Sequence, residues 1–428
     1  MTMLTVGNVF IGTAIDLDYQ GQGIVKHAGY VVFVRGLIDG EEAKIKITRV
    51  KKNFGQGEVL ELIKPSPERV DDDSSQFGSC DLIHISKEKQ LKWQRRITQE
   101  TFKKIMNEDF EVHETITDGN DKYYRNKSVF HVMDSMHLTL GLYNQNSTEL
   151  IPVDHFILAD QKTNEMLEHL SVKRCVINPK VFKYMVFRTN LKQEILVTLV
   201  ATKELFLGRE QLVERIKEIE GVVGITLNIN NQSNRILGDE SITIYGENLI
   251  TEPLNDINML VNDQSFFQIN LPVIDKAYQI IKSEISTGKE IIDAYSGIGS
   301  IGFSLADRAK KVVMLESNSS SVEMAKLIKD KYSFEHVEII DERAEIMIKH
   351  LTADYLIVDP PRNGLMPEFI QSVLEQSYEK IFYLSCDAKT LVRDVSILSA
   401  KYDVKDIYPI RMFFHTSSLE TLVILNRK

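Results

Sequence analysis

Cysteine is scarce in this chain: Cys80, Cys175 and Cys386 are its only thiols. Three exclude a disulfide-built scaffold and any metal site made of four cysteines. Long apolar runs are missing as well. No stretch approaches the ~18 to 20 residues that cross a bilayer, and the opening MTMLTVGNVFIGTAIDLD has no basic head followed by an apolar segment, so the reading is a cytoplasmic protein with no membrane partner. Positive charge is in deficit, with 51 Lys and Arg against 61 Asp and Glu, and the net charge of -10 disfavours indiscriminate coating of nucleic acid through its phosphates. Local basic patches remain open. What the chain does have is length for two or three domains, 428 residues, and the 43% hydrophobic and 26% charged content of an ordinary globular protein.

Three regions differ in rhythm. Residues 1–66 read as strands separated by glycine-bearing turns, with Ala43, Ile45 and Ile47 alternating with polar residues, which predicts a small OB-like β-barrel. Such barrels often present loops to oligonucleotides, and RVKKNFGQG groups Arg49, Lys51, Lys52 and Phe54; a solvated hairpin tip accounts for these residues equally well. The stretch PSPERVDDDSSQFGS has little to bury and marks a linker. Residues 67–262 mix helical and strand-like segments in an α+β pattern. There Trp93 lies among Lys89, Lys92, Arg95 and Arg96, a face suited to phosphates but more often simply solvated. Residues 263–428 alternate short apolar strands with helices, the signature of a doubly covered parallel sheet and a Rossmann-like domain.

In an open parallel sheet ligands bind at the carboxyl ends of the strands. The first of these ends carries Asp293, Ala294, Tyr295 and Ser296 and then GIGSIG, where glycines allow a tight turn and close backbone approach to a ligand. The second ends in Glu316, spaced to bond ribose hydroxyls, so an adenosine-containing cofactor is implied. A nicotinamide or flavin dinucleotide and S-adenosylmethionine fit this pattern equally. The fourth, DYLIVDPPRNG, sets two prolines after Asp359 and makes a stiff exit of the kind that nucleic-acid methyltransferases place beside the methyl donor. The fifth delivers Cys386 just before a helix. With an ordinary pKa near 8.5, only about 3% of such a thiol is ionised at pH 7, so a nucleophilic role needs positive potential, from the helix start or from Arg393. In LETLVIL, within an apparent edge hairpin that also brings back His415, Glu420 is a carboxylate too costly to bury without a partner or a task, and hence a candidate base.

In order and spacing these motifs resemble the RNA 5-methyluridine methyltransferases over nearly the whole chain. The opening barrel is similar to the TRAM domain of the ribosomal RNA branch. YRNKSVF (residues 124–130) and SFFQIN (residues 265–270) resemble that family's middle-domain and catalytic-domain motifs, followed by DAYSGIGSIG, VDPPRNG, SCDAKTLVRD and HTSSLET. The resemblance implies methyl transfer from S-adenosyl-L-methionine to C5 of a uridine, with ribosomal RNA before transfer RNA as substrate and a monomeric enzyme. It implies Cys386 as the nucleophile that adds to C6, Glu420 as the acceptor of the C5 proton, and Gln268, Tyr295, Glu316 and Asp359 as contacts to the donor. Phe266 and Phe267 suit base stacking or core packing equally.

The chain departs from the family at several points. Ribosomal members commonly hold an iron-sulfur cluster on four cysteines, whereas here Cys80 and Cys175 alone remain, so no cluster and no metal are expected. Asp387 and Ala388 stand where Asn and Pro are usual, Ser296 for a common Cys, Ser418 for a common His, and Arg343 where a polar or acidic residue often meets adenine. Asp387 sets a negative charge beside a thiol that needs the opposite. The competing readings are an RNA-binding member that has lost catalysis, an amino-group methyltransferase, and a nicotinamide enzyme.

Overall fold

The computed structural model describes residues 4–145, 147–172 and 175–428. Its first unit is a closed barrel of five strands, β1 (Val9–Leu17), β2 (Gly23–His27), β3 (Tyr30–Arg35), β4 (Glu42–Val50) and β5 (Phe54–Lys64), in the order β1-β2-β3-β5-β4. The alternation read from the sequence fills it: Ala43, Ile45 and Ile47 point inward and are fully buried with Val32 and Val34. The chain then reaches α1 (Lys87–Met106), capped by the Ser86 hydroxyl on the Lys89 amide and ended by Asn107 in the left-handed region.

The basic face of α1 is a docking surface for the protein itself. Trp93 is buried in an apolar knot with Leu17 and Ile38 of the barrel, Leu82 and Ile85 of the connecting segment, Ile97 of α1, and Ala388 and Leu419 from the far end of the chain. Around it Lys89 pairs with Asp39, Arg96 with Asp16 and Arg95 with Glu114, so these cations have protein partners rather than phosphates.

The middle unit is a seven-stranded sheet of β6 (Lys127–Val132), β7 (Leu140–Tyr143), β8 (Leu150–Pro152), β9 (Phe182–Thr189), β10 (Ile195–Ala201), β11 (Val222–Ile229) and β12 (Glu240–Gly246), ordered β12-β11-β10-β9-β6-β7-β8. Helices α2 (Gln161–Val172) and α3 (Arg209–Lys217) share its core, which explains why every residue of β10 is buried. A hairpin, β13 (Ile250–Leu254) and β14 (Ile257–Val261), leads into the last unit.

That unit is a second seven-stranded sheet: β15 (Glu290–Ala294), β16 (Lys311–Glu316), β17 (Val337–Asp341), β18 (Tyr355–Val358), β19 (Lys380–Ser385), β20 (Tyr402–Ile410) and β21 (Glu420–Arg427). The order is β17-β16-β15-β18-β19-β21-β20, with the first five parallel and β21 antiparallel to both neighbours. Helices α4 (Leu271–Glu284), α5 (Ser300–Leu305), α6 (Ser319–Tyr332), α7 (Ala344–Met347), α8 (Pro367–Glu375) and α9 (Ala388–Leu398) accompany it. The hairpin expected at the sheet edge is there, but only β20 forms the edge, because β21 inserts between it and β19. Among the described residues no helix is long and apolar enough to cross a membrane.

One buried ion pair ties the barrel to the segment that follows it. Arg69 Nε and Nη2 each donate to Glu41 at 2.6 Å, and the same carboxylate accepts the Ile38 amide at 2.8 Å and the Ser66 amide at 3.0 Å. Burial alone would raise the Glu41 pKa, but these bonds outweigh it and hold the carboxyl below its ordinary value. A depressed carboxyl stabilises the fold above its unfolded pKa and loses that contribution as pH falls through the folded value. Glu41→Gln should therefore cost about 3 kcal/mol, the penalty of breaking a buried pair, and remove the acid-dependent part of the loss. Hydrogen exchange at the Ile38 and Ser66 amides measures both effects.

Candidate active site

The strand order reverses between β15 and β18, and the crevice there opens into a cavity of about 770 Å³. This falls within the ~300–1,000 Å³ of small-molecule sites. Gln268, Tyr295, Glu316, Asp359, Cys386 and Glu420, all singled out in the sequence, line it together.

One wall is the glycine loop after β15. The chain turns with positive φ at Tyr295, Gly297 and Gly299, and a Cβ at Gly299 would come within 3 Å of Phe303 and Met314. Only glycine fits there. The Gly302 amide, on α5, donates to Asp293 Oδ2 at 2.9 Å. Glu316, at the end of β16, accepts the Gly297 amide on Oε2 at 2.8 Å, and the Ser317 and Asn318 amides on Oε1 at 2.8 and 2.6 Å. Its carboxylate thus fixes two loops of the wall against each other.

The opposite wall comes from β18, β19 and β21. Asp359 follows β18 and accepts from Gln268 Nε2 at 3.3 Å; the backbone carbonyl of Gln268 is held by Asn126 Nδ2 at 3.1 Å. Cys386 follows β19, immediately before Asp387, the N-cap of α9. Because Ser385 pairs with Thr421, the antiparallel register carries Glu420 to the level of Cys386.

The floor is acidic and poorly solvated. Burial pushes Asp359 up to about 7, and burial, helped by Asp359, holds Glu420 well above the carboxylate range. Asp293 is likewise raised to about 7, chiefly by burial. The Cys386 thiol rises to about 11, through burial first and then the charge of Glu420, while Arg362 opposes the shift. The positive group near the sulfur is therefore Arg362 and not Arg393, which donates to Asp394 at 2.8 Å and to the Asn363 carbonyl at 2.9 Å. The Asp387 carboxylate, expected to burden the thiol, instead accepts the Lys389 and Thr390 amides at 2.9 Å each and is directed at the helix start.

The loop leading into Glu420, residues 411–419, is strapped to α1. Arg411 is fully buried and donates from Nη2 to Gln90 Oε1 at 2.6 Å and to the Thr416 carbonyl at 3.0 Å. His415 turns away from the cavity, with Nδ1 3.0 Å from Gln90 Nε2 and Nε2 3.3 Å from Asp121. Phe266 and Phe267 both border the cavity, the first 66% exposed and the second 3% exposed and packed in the core. Arg343 stands outside the lining and contacts Glu345, which accepts the Tyr295 hydroxyl at 2.9 Å.

Sequence reasoning missed Arg125. It enters the cavity from the middle unit, its guanidinium 5.9 Å from the Tyr124 ring centre and 5.8 Å from that of Phe156, and its buried Nε has no hydrogen-bond partner among the described residues. The available signal was its place in YRNKSVF, next to the asparagine that pins Gln268. Cys80 and Cys175 are buried in the middle core. Among the described residues no group of three or more His, Cys, Asp or Glu can hold a metal ion.

Iodoacetamide alkylation of Cys386, followed by peptide mass spectrometry, should accelerate about tenfold per pH unit from 7 to 10, since the thiolate is the reacting form and the thiol titrates near 11. Glu420→Gln should move that titration down and Arg362→Ala should move it up. A midpoint unchanged in both would remove them as neighbours of the sulfur.

Comparison with known proteins agrees with this geometry. The family described as tRNA (Uracil-5-)-methyltransferase matches residues 86–428, and the TRAM domain matches residues 15–60. An uncharacterized RNA methyltransferase of Lactobacillus johnsonii is 31% identical, covering 96% of this chain and 97% of that protein. Another, from Staphylococcus epidermidis, is 32% identical, covering 100% of this chain and 99% of that protein. The crystal structure of Pyrococcus abyssi tRNA (uracil-54, C5)-methyltransferase in complex with S-adenosyl-L-homocysteine has the same fold, with a TM-score of 0.77 at 24% identity, over 97% of this chain and 100% of that chain. The chain thus belongs to the RNA uracil-5-methyltransferase family, S-adenosylmethionine-dependent RNA methyltransferases, and carries a TRAM domain at its start.

Proposed function

We propose that the chain methylates C5 of a uridine in structured RNA, with Cys386 as nucleophile and Glu420 as proton acceptor. The observation that carries this reading is the placement of that thiol and that buried carboxyl on the wall of the cavity that also holds the glycine loop and Glu316.

The residues present suit the methyl donor. Gly297 has open space where a Cβ would stand, so the loop backbone faces the cavity directly. Glu316 has used three acceptor positions on backbone amides, and a carboxylate offers about four, which leaves capacity for a ribose hydroxyl. Tyr295 and Gln268 would hold the donor beside it, and Asp359, with Asp293 behind it, would favour a cationic group. Bound there, S-adenosylmethionine supplies a methyl group on a positively charged sulfur.

Uracil C5 is a poor nucleophile. Addition of the Cys386 thiolate to C6 forms the S–C6 bond and moves the ring electrons onto C5 and the C4 oxygen, which makes C5 reactive toward the methyl group. C5 would then bond the methyl carbon as the donor's sulfur–methyl bond breaks and its electron pair stays on that sulfur, after which Glu420 takes the C5 proton, the C5–C6 double bond re-forms, and the S–C6 bond breaks to return the thiolate. A raised pKa makes Glu420 a stronger base once ionised. Arg125 suits a pyrimidine carbonyl. The target must be single-stranded or extruded, because a stacked base cannot present C5 and C6 to two reagents. Every group in the scheme comes from one chain, which fits a monomer, and an RNA substrate fits a cytoplasmic enzyme.

Ribosomal RNA is the first candidate, on account of the barrel. Transfer RNA is the second reading, because the Pyrococcus abyssi tRNA enzyme aligns with 97% of the chain, barrel included. Labelled methyl transfer to RNA from cells lacking the gene, with mass mapping of both RNA pools, should reveal 5-methyluridine in one of them. Cys386→Ala should lose at least about 10³-fold in rate, and Glu420→Gln at least about 10²-fold while retaining an RNA adduct that survives denaturing electrophoresis. Unimpaired turnover by Cys386→Ala would defeat the proposal.

A further inference from the structure

A smaller cavity of about 250 Å³ lies beside the first and shares Arg362, Cys386 and Ser418 with it. Its outer wall is the turn between β1 and β2, where Tyr19 and Gln20 face Lys389 of α9. That turn is held rigidly. Asp18 Oδ1 accepts the Gln20 and Gln22 amides at 2.9 and 2.8 Å, and its carbonyl accepts Trp93 Nε1 at 2.9 Å. Gly21, at φ +73, lies so close to Leu82 that a Cβ would stand 2.1 Å from its Cδ2.

Two cations border this groove without an ion-pair partner, with the Asp18 carboxylate of the same turn within electrostatic reach of Lys389. The Lys389 ammonium rests 3.3 Å from the centre of the Tyr19 ring, and among the described residues neither it nor the exposed Arg362 forms an ion pair. Lys89, Arg95 and Arg96 on nearby α1 all have acidic partners. The one carboxylate in the lining, Asp387, is occupied with the start of α9. An aromatic ring holding an ammonium beside a second unpaired cation, in a chain of net charge -10, is a prepared place for an anion.

We propose that this groove takes the backbone phosphate of the nucleotide flanking the target uridine, with Lys389 and Arg362 as its counter-charges and Tyr19 as the platform that positions Lys389. The inference rests on the uridine reading above. A base seated against Cys386 in the large cavity must leave its sugar and phosphate at the rim, and Cys386, Arg362 and Ser418 form the rim that the two cavities share. The barrel then contributes to the site through its β1–β2 turn. The hairpin tip near Arg49, Lys51 and Lys52 lies at the other end of the barrel, because β4 runs antiparallel to β1 and ends near Val9.

The test is fluorescence anisotropy of the full chain with labelled dodecauridylate over a range of salt. Lys389→Gln should weaken binding at low salt by about fivefold or more and flatten the salt dependence by about 0.7, one single-strand phosphate contact. Lys389→Arg should restore both, and Tyr19→Ala should lose affinity in the same direction. With RNA from cells lacking the gene, the loss should fall on KM rather than kcat. Wild-type affinity and salt slope in Lys389→Gln and Tyr19→Ala would overturn the proposal, as would a fall in kcat with KM unchanged, which would mark a role in supporting the Cys386 loop. Should the wild-type chain methylate no RNA, the uridine reading falls, while anisotropy still decides the groove.

Discussion

A parallel sheet whose strand order reverses must leave a crevice at the reversal, because the connections on either side depart in opposite directions. Here that constraint acts between β15 and β18, and the rest of the molecule is arranged around it. The glycine loop and Glu316 lie on one side, and Asp359, Cys386 and Glu420 on the other. The insertion of β21 between β19 and β20 completes the arrangement, since it brings a carboxyl from the end of the chain level with a thiol more than thirty residues earlier.

The second organising element is the apolar knot around Trp93. It gathers residues of the barrel, of α1 and of the two segments that flank Cys386 and Glu420, Ala388 after the first and Leu419 before the second. Burial of that tryptophan holds the barrel turn against the start of α9, while Gln90 and Arg411 strap the loop of residues 411–419 to the same helix. The barrel is therefore part of the wall around the Cys386 sulfur as well as an N-terminal appendage.

Electrostatics in the cavity oppose ionisation of the Cys386 thiol. Three buried carboxyls and a partly buried thiol raise one another or are raised by burial, so the thiol stays largely protonated near neutral pH. Arg362 is the counterweight. Such a site stores little reactive thiolate and is well matched to a cationic ligand, which the acidic floor favours.

The sequence alone determined the strand alternation of the barrel and the repeated strand-helix pattern of the last unit, which follow from local periodicity, and six residues of the cavity lining, which come from motifs along the last unit and, for Gln268, from the family resemblance. It left open whether Phe266 or Phe267 packs in the core, because adjacent residues on a coil have no period to separate them. It gave the wrong neighbour for the thiol: Arg393 is near in sequence but is consumed by Asp394, whereas Arg362 arrives from another strand exit. It weighed the cations of α1 as a phosphate surface and favoured a solvated face, whereas the barrel supplies acidic partners for Lys89 and Arg96. Arg125, the register that sets Glu420 against Cys386, and the meeting of Tyr19 with Lys389 were decided only by tertiary structure. Each joins residues far apart in the chain, and their distance is fixed by packing between units, which no local pattern encodes.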